Sequence, residues 1–312
     1  MTCTSYGGPE TLRPADRPVP EPGRGQVQVR VVCGSVNPID WKLAKGLLRP
    51  FKPAFPWVPG FDVAGDVTKV GEAVTEFAVG DRVHARIGDM TAGGSAEFAV
   101  AGVDVTARMP ANMDYASAAG LPLAGMTALQ GLRDRAGMPL MGASQRILIV
   151  GASGGVGHLG VQIARAAGAT VVGVCSGRNV GLVEGLGANE VIDYTRHDPY
   201  KGQAPFDIVF DAVGCDFGTY LPLLKPGGVY ATPVPGAGTF LRMAVNAISA
   251  KKVYAVMLKS AASDLRHLDK LFEDGQLRVV IDSRHPLDKL GDAWARSISG
   301  RSAGKVVVDI PG

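Results

Sequence analysis

One glycine-rich stretch constrains the fold of this chain more than any other feature. The apolar run Ile147 to Val150 has the length of a strand, and a helix-like stretch, Val156 to Ala167, begins after a short turn. Glycines in such a turn let the backbone bend sharply, approach a pyrophosphate closely and pack the helix against the strand, and the N–H groups at the helix start bind phosphate. The pattern predicts a dinucleotide-binding turn; a tight turn without a ligand is the alternative. The predicted contacts are Gly151, Ser153, Gly154, Gly155, Val156 and Gly157.

The end of the next strand indicates which nucleotide the turn holds. NAD sites usually place Asp or Glu there, about 20 residues after the glycines, to bind the ribose 2′-hydroxyl. No Asp or Glu occurs between His158 and Val183, and the strand is followed by Ser176 and Arg178. A guanidinium pairs with phosphate through charge-assisted hydrogen bonds. We therefore predict NADPH rather than NADH, with capping and solvation of the following helix as the alternative role of both residues.

Composition limits the class of protein. The 312 residues suffice for two domains, and the net charge of +3 comes from scattered basic residues, which gives no indication of nucleic-acid binding. The four cysteines lie far apart and form no CxxC pair. Free thiols, the lack of a secretory signal and the lack of an apolar run long enough for a membrane span predict a cytoplasmic protein.

The first 120 residues read as short strands separated by Pro and Gly. In Gln26 to Val32 apolar and polar residues alternate, as in a half-buried strand. Further strands are predicted at Val63 to Val70, Asp81 to Ala85 and Ala96 to Val100. This spacing favours a mostly antiparallel β domain.

From Arg146 onward strands and helices alternate, which is typical of an α/β fold with a doubly wound parallel sheet. The last of these strands is apolar and lies at the sheet edge, so we predict a homodimer that pairs through it. The tail elements are expected to pack on the N-terminal domain. The predicted sheet strands are 147–151, 169–175, 190–193, 206–211, 228–232 and 253–258, and the predicted tail elements are helix 261–273, strand 277–281, helix 287–299 and strand 305–310.

Ordered motifs along the chain resemble the medium-chain dehydrogenase/reductase superfamily, and within it the zinc-independent quinone oxidoreductase branch. The tail is most similar to plant plastid-envelope members of that branch. The motifs are Ser35 to Lys42, Pro59 to Gly65, Phe77 to Val83, Leu121 to Leu129, Gly151 to Gly157, Leu186 to Tyr194, Phe206 to Gly214 and Val280 to Leu287.

The resemblance implies two domains and an activity. A GroES-like, mostly β catalytic domain would comprise residues 1–121 and 259–312, and a Rossmann domain that binds NADPH would comprise 122–258. The implied activity is transfer of hydride to quinones or α,β-unsaturated carbonyls (EC 1.6.5 or 1.3.1 type). A zinc-free enzyme similar to alcohol dehydrogenases and a non-catalytic NADPH-binding protein are the alternatives.

The zinc ligands of related enzymes are missing. Asn37 stands where those relatives have a Cys, and Phe61-Asp62 stands where they have His-Glu. Zinc takes N, S or carboxylate ligands, and Phe61 offers none. The short loop 88–94 replaces a four-cysteine lobe, and the five histidines show no ligand spacing, so we interpret them as surface or capping residues. We predict no metal.

Without a metal, the protein itself must stabilise negative charge on the substrate carbonyl oxygen. Lys42 is the leading candidate donor, with a solvated strand-end lysine as the alternative. Asn37 would donate its amide to the nicotinamide ribose or the substrate, or else hold the turn before Pro38. Trp41 would line the cleft; its indole N–H is a poor proton source, so water is the expected proton donor. Asp62 is expected to be structural.

The remaining predicted contacts come from the ends of other elements. By resemblance, Thr127 lies near the nicotinamide and Tyr194 beside the 2′-phosphate, with helix capping and packing as alternatives. Loops after the fourth and fifth strands supply Val213, Gly214, Pro233 and Val234. Lys305 would reach a phosphate, with Arg301 a weaker option, or would be an edge-strand charge. A small hydrophobic carbonyl or quinone is expected in a pocket formed by loops 42–56 and 240–260, with an apolar rim at Gly46 to Pro53.

Overall fold

The chain folds into two units. The computed structural model describes residues 1–48, 51–88, 92–199, 201–203 and 205–311. Unit 1 contains 1–124, 260–273 and 279–312, and unit 2 contains 125–259 and 274–278. The helices are α1 Pro38–Ala44, α2 Tyr115–Gly120, α3 Pro122–Gln130, α4 Gly157–Ala167, α5 Val180–Gly185, α6 Phe217–Tyr220, α7 Ala237–Ala244, α8 Ala262–Glu273 and α9 Leu290–Ile298. Among the helices so described, none is long and apolar enough to cross a bilayer.

The strands follow the same chain order. They are β1 Thr2–Cys3, β2 Leu12–Arg13, β3 Gln26–Val36, β4 Asp62–Val70, β5 Arg82–Arg86, β6 Phe98–Gly102, β7 Thr106–Arg108, β8 Arg146–Val150, β9 Thr170–Cys175, β10 Glu190–Asp193, β11 Phe206–Asp211, β12 Leu224–Thr232, β13 Lys252–Ala255, β14 Ile281–Pro286 and β15 Lys305–Asp309. Most of the predicted strands therefore lie within two residues of their predicted positions.

Unit 2 is built on a parallel sheet. Its strands run in the order β10-β9-β8-β11-β12-β13, and every neighbouring pair is parallel. Such strands are buried on both faces and read as apolar runs, of which Ile147 to Ile149, all fully buried, are an example. The strand order reverses between β8 and β11, so the loops after these two strands meet at the switch point where open α/β sheets bind ligands. The prediction of a doubly wound parallel sheet is confirmed.

Unit 1 is mostly antiparallel. Its main sheet has the order β14-β15-β3-β4-β5-β7, and β6 also pairs with β3. In β3 the side chains of Val27, Val29 and Val31 are buried against Val63 and Val83 of the next two strands. The tail strand β15 pairs with β3, which confirms that the tail packs on the N-terminal part of the chain.

One predicted strand is wrong. Residues 277–280 form no strand, and the strand begins at Ile281 instead. The physical reason is the side chain of Gln162 on α4: its amide donates to the Arg278 carbonyl (2.9 Å) and accepts from the Arg278 N–H (2.8 Å). Because this amide satisfies the backbone of Arg278, the apolar run around it needs no strand neighbour.

The interpretation of all histidines as surface or capping groups is also wrong. His84 on β5 is fully buried. Its Nδ1–H donates to the Ala118 carbonyl (3.1 Å), and its Nε2 faces the Asp269 carboxylate of α8 at 3.1 Å. Both partners are acceptors, so the protonated imidazole satisfies both contacts. Burial lowers the pKa of His84, but the Asp269 carboxylate, helped by Ala118 and Asp62, outweighs burial and leaves that pKa above its ordinary value.

Asp269→Asn is expected to reduce the loss of stability above neutral pH. A histidine with a raised folded-state pKa contributes stability that is complete below its unfolded pKa, about 6.5, and is lost as the pH rises through the folded-state pKa. Urea unfolding at pH 6 and pH 8 should show a larger decrease in the wild type than in Asp269→Asn. Asp292→Asn, at an exposed carboxylate of α9, is the control and should keep the wild-type decrease. Equal decreases in all three proteins would contradict the pairing.

Candidate cofactor-binding and catalytic site

The glycine turn after β8 brings the start of helix α4 directly against the end of the strand. Gly151 has a φ of +74°, a conformation that L side chains rarely adopt. A Cβ on Gly157, the first residue of α4, would lie 2.1 Å from the Gly151 carbonyl oxygen. The helix therefore begins directly against the turn, with its first N–H groups at the carboxyl end of β8.

The loop after β9 is tied to this turn by a residue that sequence reasoning missed. The Asn179 side-chain amide donates to Ser153 Oγ in the glycine turn (2.9 Å) and to Ser176 Oγ (3.4 Å). Arg178 is exposed on the same short helical turn, Gly177–Asn179. In the sequence, Asn179 is only a polar residue three positions after Ser176. That position does not by itself indicate that its amide links the two loops.

A carboxylate does reach this loop, although it comes from another strand. Asp193, the last residue of β10, pairs in register with Cys175. Its carboxylate lies so close to this loop that a Cβ on Gly177 would be 2.4 Å from Oδ2. The same carboxylate accepts the N–H and hydroxyl of Thr195 (2.9 and 2.7 Å). These hydrogen bonds hold the pKa of Asp193 below its usual value.

The loop after β11 is held by a buried aspartate. Asp211 accepts the backbone N–H groups of Val213 (2.9 Å), Gly214 (3.0 Å) and Cys215 (2.6 Å), and the Tyr230 hydroxyl (2.6 Å). Burial raises the pKa of that phenol, so the hydroxyl stays a donor. The loop thus presents Val213, 56% exposed, against Gly151 at the switch point.

The other predicted contacts of unit 2 differ in exposure. Tyr194, just after β10, is exposed, and Val234, after β12, is partly exposed with its N–H donating to Thr232 Oγ1 (3.1 Å). Pro233 is half-buried. Thr127 is buried within α3, so it does not cap that helix.

Unit 1 contains a buried polar cluster centred on Asp62. Its carboxylate accepts from Ser35 Oγ (2.7 Å), Asn37 Nδ2 (2.8 Å) and the Leu123 N–H (3.0 Å). The Lys305 ammonium donates to Asn37 Oδ1 (2.6 Å) and lies 3.8 Å from Asp62. Burial lowers the pKa of Lys305, while the two aspartates near it oppose that shift.

A second carboxylate, Asp40, completes this polar cluster. Asp40 Oδ2 accepts the Asn37 N–H (2.7 Å), which caps helix α1, and Oδ1 accepts the Gly60 N–H (3.1 Å). Burial, helped by the nearby Asp62, raises the pKa of Asp40 to about 7 against the opposing effect of the two N–H groups and Lys305. The cluster therefore joins β3, α1, β4, α3 and β15 around one ammonium group.

The two remaining candidates for catalysis lie on α1 rather than at a strand end. Trp41 is half-buried, and its indole N–H donates to Ser297 Oγ (3.1 Å). The ammonium groups of Lys42 and Lys45 lie 5.6 and 5.7 Å from the Trp41 ring centroid. Partial burial lowers the pKa of Lys42. Of the three predicted catalytic residues, Asn37 and Trp41 are engaged in hydrogen bonds, and Lys42 presents a cation that is easier to deprotonate than usual.

Comparison with known proteins agrees with this architecture. Residues 23–120 match the alcohol dehydrogenase GroES-like domain family, and residues 186–308 match the zinc-binding dehydrogenase family. The chain is 41% identical to the chloroplast envelope quinone oxidoreductase homolog of Arabidopsis thaliana, over 99% of this chain and 97% of that protein. The chain belongs to the quinone oxidoreductase branch of the medium-chain dehydrogenase/reductase superfamily.

Other members of this superfamily are also similar over the whole chain. The chloroplastic NADPH-dependent alkenal/one oxidoreductase of Arabidopsis thaliana is 33% identical, over 98% of this chain and 78% of that protein. The solved structure of the quinone oxidoreductase from Coxiella burnetii superposes with a TM-score of 0.87, at 29% identity, covering 99% of this chain and 98% of that one.

The donor set of this medium-chain dehydrogenase/reductase does not fit a catalytic zinc at the positions where zinc-dependent relatives hold one. Phe61 is fully buried, and the Arg86 guanidinium lies 5.4 Å from its ring centroid. The Asn37 amide is occupied by Asp62 and Lys305. Phe61 offers no ligand atom, and among the residues that the structure describes no three His, Cys, Asp or Glu side chains are grouped so that they could hold a metal ion, so we derive no chemical step through a metal.

Two predicted contacts, Lys305 and Asn37, lie elsewhere than expected, and a few positions of the predicted loops are not described by the structure. Lys305 was expected at a phosphate, but its ammonium is buried among Asn37 and Asp62, and the Asn37 amide N–H is directed at Asp62 rather than presented to a ligand. Positions 49 and 50 of the predicted apolar rim, and positions 89–91 of loop 88–94, lie outside the described residues.

Proposed function

We propose that the protein is a zinc-independent, NADPH-dependent oxidoreductase that reduces quinones or α,β-unsaturated carbonyls (EC 1.6.5 or 1.3.1 type). The observation that supports this proposal is the glycine turn, where Gly157 at the start of α4 lies so close to the Gly151 carbonyl that no side chain fits between them. The names of the similar proteins support the substrate class and the cofactor. We also propose that the catalytic domain comprises residues 1–121 and 259–312 and the NADPH-binding domain residues 122–258. A cytoplasmic location is a further proposal.

The residues of unit 2 fit a phosphorylated dinucleotide. The helix N-terminus at Gly157 would bind the pyrophosphate, and the exposed guanidinium of Arg178 would bind the 2′-phosphate together with Ser176. We propose that the remaining contacts come from Thr127, Ser153, Gly154, Gly155, Val156, Tyr194, Val213, Gly214, Pro233 and Val234. A bound nicotinamide supplies a hydride; positioning and charge stabilisation are left to the protein.

The chain's own residues then have distinct tasks. We propose that Lys42 stabilises the negative charge that develops on the substrate oxygen, because it is a half-buried cation and such a donor typically contributes a factor of about 10²–10³. Asn37 positions the start of α1 through its cap rather than donating to the substrate. Trp41 lines the site. Its indole N–H is already bonded to Ser297, so water supplies the proton.

Arg178→Ala is expected to raise the Kd for NADPH by at least about tenfold and to change the Kd for NADH by less than about twofold. Charge-assisted hydrogen bonds to one phosphate are worth about 1.5–3 kcal/mol, and NADH lacks that phosphate. Fluorescence titration of both cofactors measures the ratio. Arg135→Ala, which removes an exposed arginine from the segment that leads toward the amino end of β8, is the charge-matched control. Equal losses for NADPH and NADH would remove the 2′-phosphate assignment.

Turnover tests the proposed activity itself. NADPH oxidation should be seen with some members of a panel of 1,4-quinones, 2-alkenals and enones. Lys42→Met should lower kcat by about 10²-fold with little change in NADPH affinity. Oxidation of simple alcohols with NADP⁺ alone would favour the zinc-free enzyme similar to alcohol dehydrogenases. NADPH binding without any turnover would favour a non-catalytic binding protein.

We also propose a homodimer. β13 is the last strand of its sheet, and nearby side chains of unit 2 are apolar and exposed: Leu241 (74%), Ile248 (88%) and Met257 (60%). An edge strand with apolar neighbours is a surface that a second copy can pair with and cover. Light scattering should give about twice the chain mass of 32.4 kDa, and a monomeric mass would contradict the proposal.

A further inference from the structure

A second arginine lies beside the loop that carries Arg178. Arg196 follows β10, and its N–H donates to the Asp193 carbonyl (3.1 Å), which makes a turn at the end of that strand. The turn brings the Arg196 side chain back to the Asp193 carboxylate, with Nε 3.6 Å from Oδ2. Because Oδ2 of the same carboxylate also lies against Gly177, Arg196 is placed next to the turn Gly177–Asn179.

Both oxygens of the Asp193 carboxylate already have neighbours that hold them in place. One oxygen accepts both the N–H and the hydroxyl of Thr195, and the other lies against Gly177 and Arg196. The side chain is only 10% exposed. Asp193 is a buried carboxylate bonded within its own turn, unlike the acid that NAD-specific sites present to the ribose 2′-hydroxyl. Asp193 is therefore a positioning residue that fixes two loops.

Arg196, in contrast, is available to a ligand. Its side chain is 81% exposed, and its contact with Asp193 is longer than a hydrogen bond. A phosphate monoester carries about −1.5 to −2 charges near pH 7 and presents three acceptor oxygens, more than one guanidinium can satisfy. Arg178 and Arg196 lie on neighbouring loops that Asp193 joins, so both can approach one phosphate.

We infer that Arg196 is a second specificity-determining residue, which binds the 2′-phosphate of NADPH together with Arg178. This inference rests on the proposed function, because it presupposes that the glycine turn holds a dinucleotide. To reach the phosphate, only the Arg196 side chain has to move. Asp193 holds the two loops beside each other. A sequence search for acids or arginines just after β9 overlooks this residue, because it comes after the next strand.

The test compares the Kd values of Arg196→Ala, Arg196→Lys and wild type for NADPH, NADH, 2′,5′-ADP and 5′-AMP by calorimetry. The two adenosine nucleotides report on the 2′-phosphate without any turnover. Arg196→Ala should raise the Kd for NADPH and 2′,5′-ADP by about tenfold and leave the Kd for NADH and 5′-AMP within about twofold. Arg196→Lys should recover part of the loss, and Arg135→Ala should match the wild type.

The outcomes separate the inference from the proposed function. If the wild type prefers NADPH and Arg196→Ala weakens phosphorylated and unphosphorylated ligands equally, or weakens neither, the inference is overturned while the function stands. If the wild type binds none of the dinucleotides, the proposed function itself is overturned. A loss in Arg196→Ala limited to the 2′-phosphorylated ligands supports the inference.

Discussion

Replacing Gly157 by alanine is expected to abolish NADPH binding and to lower the free energy of unfolding by about 2–3 kcal/mol. The added Cβ would lie 2.1 Å from the Gly151 carbonyl oxygen and 2.8 Å from its carbonyl carbon. Both are backbone atoms, so no side chain can rotate away, and α4 must move from the turn. The N–H groups at the start of the helix then no longer converge on one phosphate. NADPH titration and urea unfolding measure the two effects.

Gly160→Ala is the matched control on the same helix. A Cβ at Gly160 meets Ile149 Cδ1 and the Phe210 ring at 3.6 Å, which is ordinary van der Waals contact. Alanine is favoured over glycine inside a helix by about 1 kcal/mol, so this variant should be as stable as the wild type or more stable and should bind NADPH normally. Normal NADPH affinity in Gly157→Ala would contradict the role of the turn.

Lys305→Met should destabilise unit 1 by about 3–5 kcal/mol, because it leaves buried carboxylates without their ammonium partner. Asp62 is fully buried, and the side chain of Lys305 is 3% exposed. The variant also removes the donor to Asn37 Oδ1. Denaturant unfolding of the whole protein, followed by circular dichroism, measures the loss.

A double variant separates this electrostatic role from the phosphate contact expected from the sequence. Lys305→Met/Asp62→Asn should be less destabilised than the sum of the two single variants, with a coupling energy of about 1–3 kcal/mol. In all folded variants the Kd for NADPH should stay within about twofold of the wild type. Additive losses of stability combined with a large rise in the Kd for NADPH would instead support a phosphate contact by Lys305.

The parallel sheet and the glycine turn could be predicted because their signals are local. An apolar strand, a glycine turn and a helix follow one another within a few residues, and the alternation of strands and helices is read directly along the chain. The misplaced tail strand shows the limit of this reasoning. Leu277 and Val279 have the apolar pattern of a strand, but the hydrogen bonds of Arg278 go to the side chain of Gln162, which lies more than 100 residues away.

The polar features escaped prediction because tertiary contacts assemble them. Asn37, Asp62 and Lys305 come from distant segments, and only the folded unit shows that Lys305 is the counter-charge of Asp62. Likewise, Asp193 reaches the loop after β9 from the neighbouring strand, so the search for an acid within that loop returned none. His84 resembled a surface residue because its partner Asp269 belongs to the tail.

The most direct test of the central claim is calorimetric titration of purified protein with NADPH and NADH, with metal analysis of the same sample. We expect one NADPH per chain, a Kd for NADPH at least about tenfold below that for NADH, equivalent to about 1.4 kcal/mol, and no stoichiometric zinc. Zinc at one equivalent per chain, or the absence of any binding heat with NADPH, would contradict that claim.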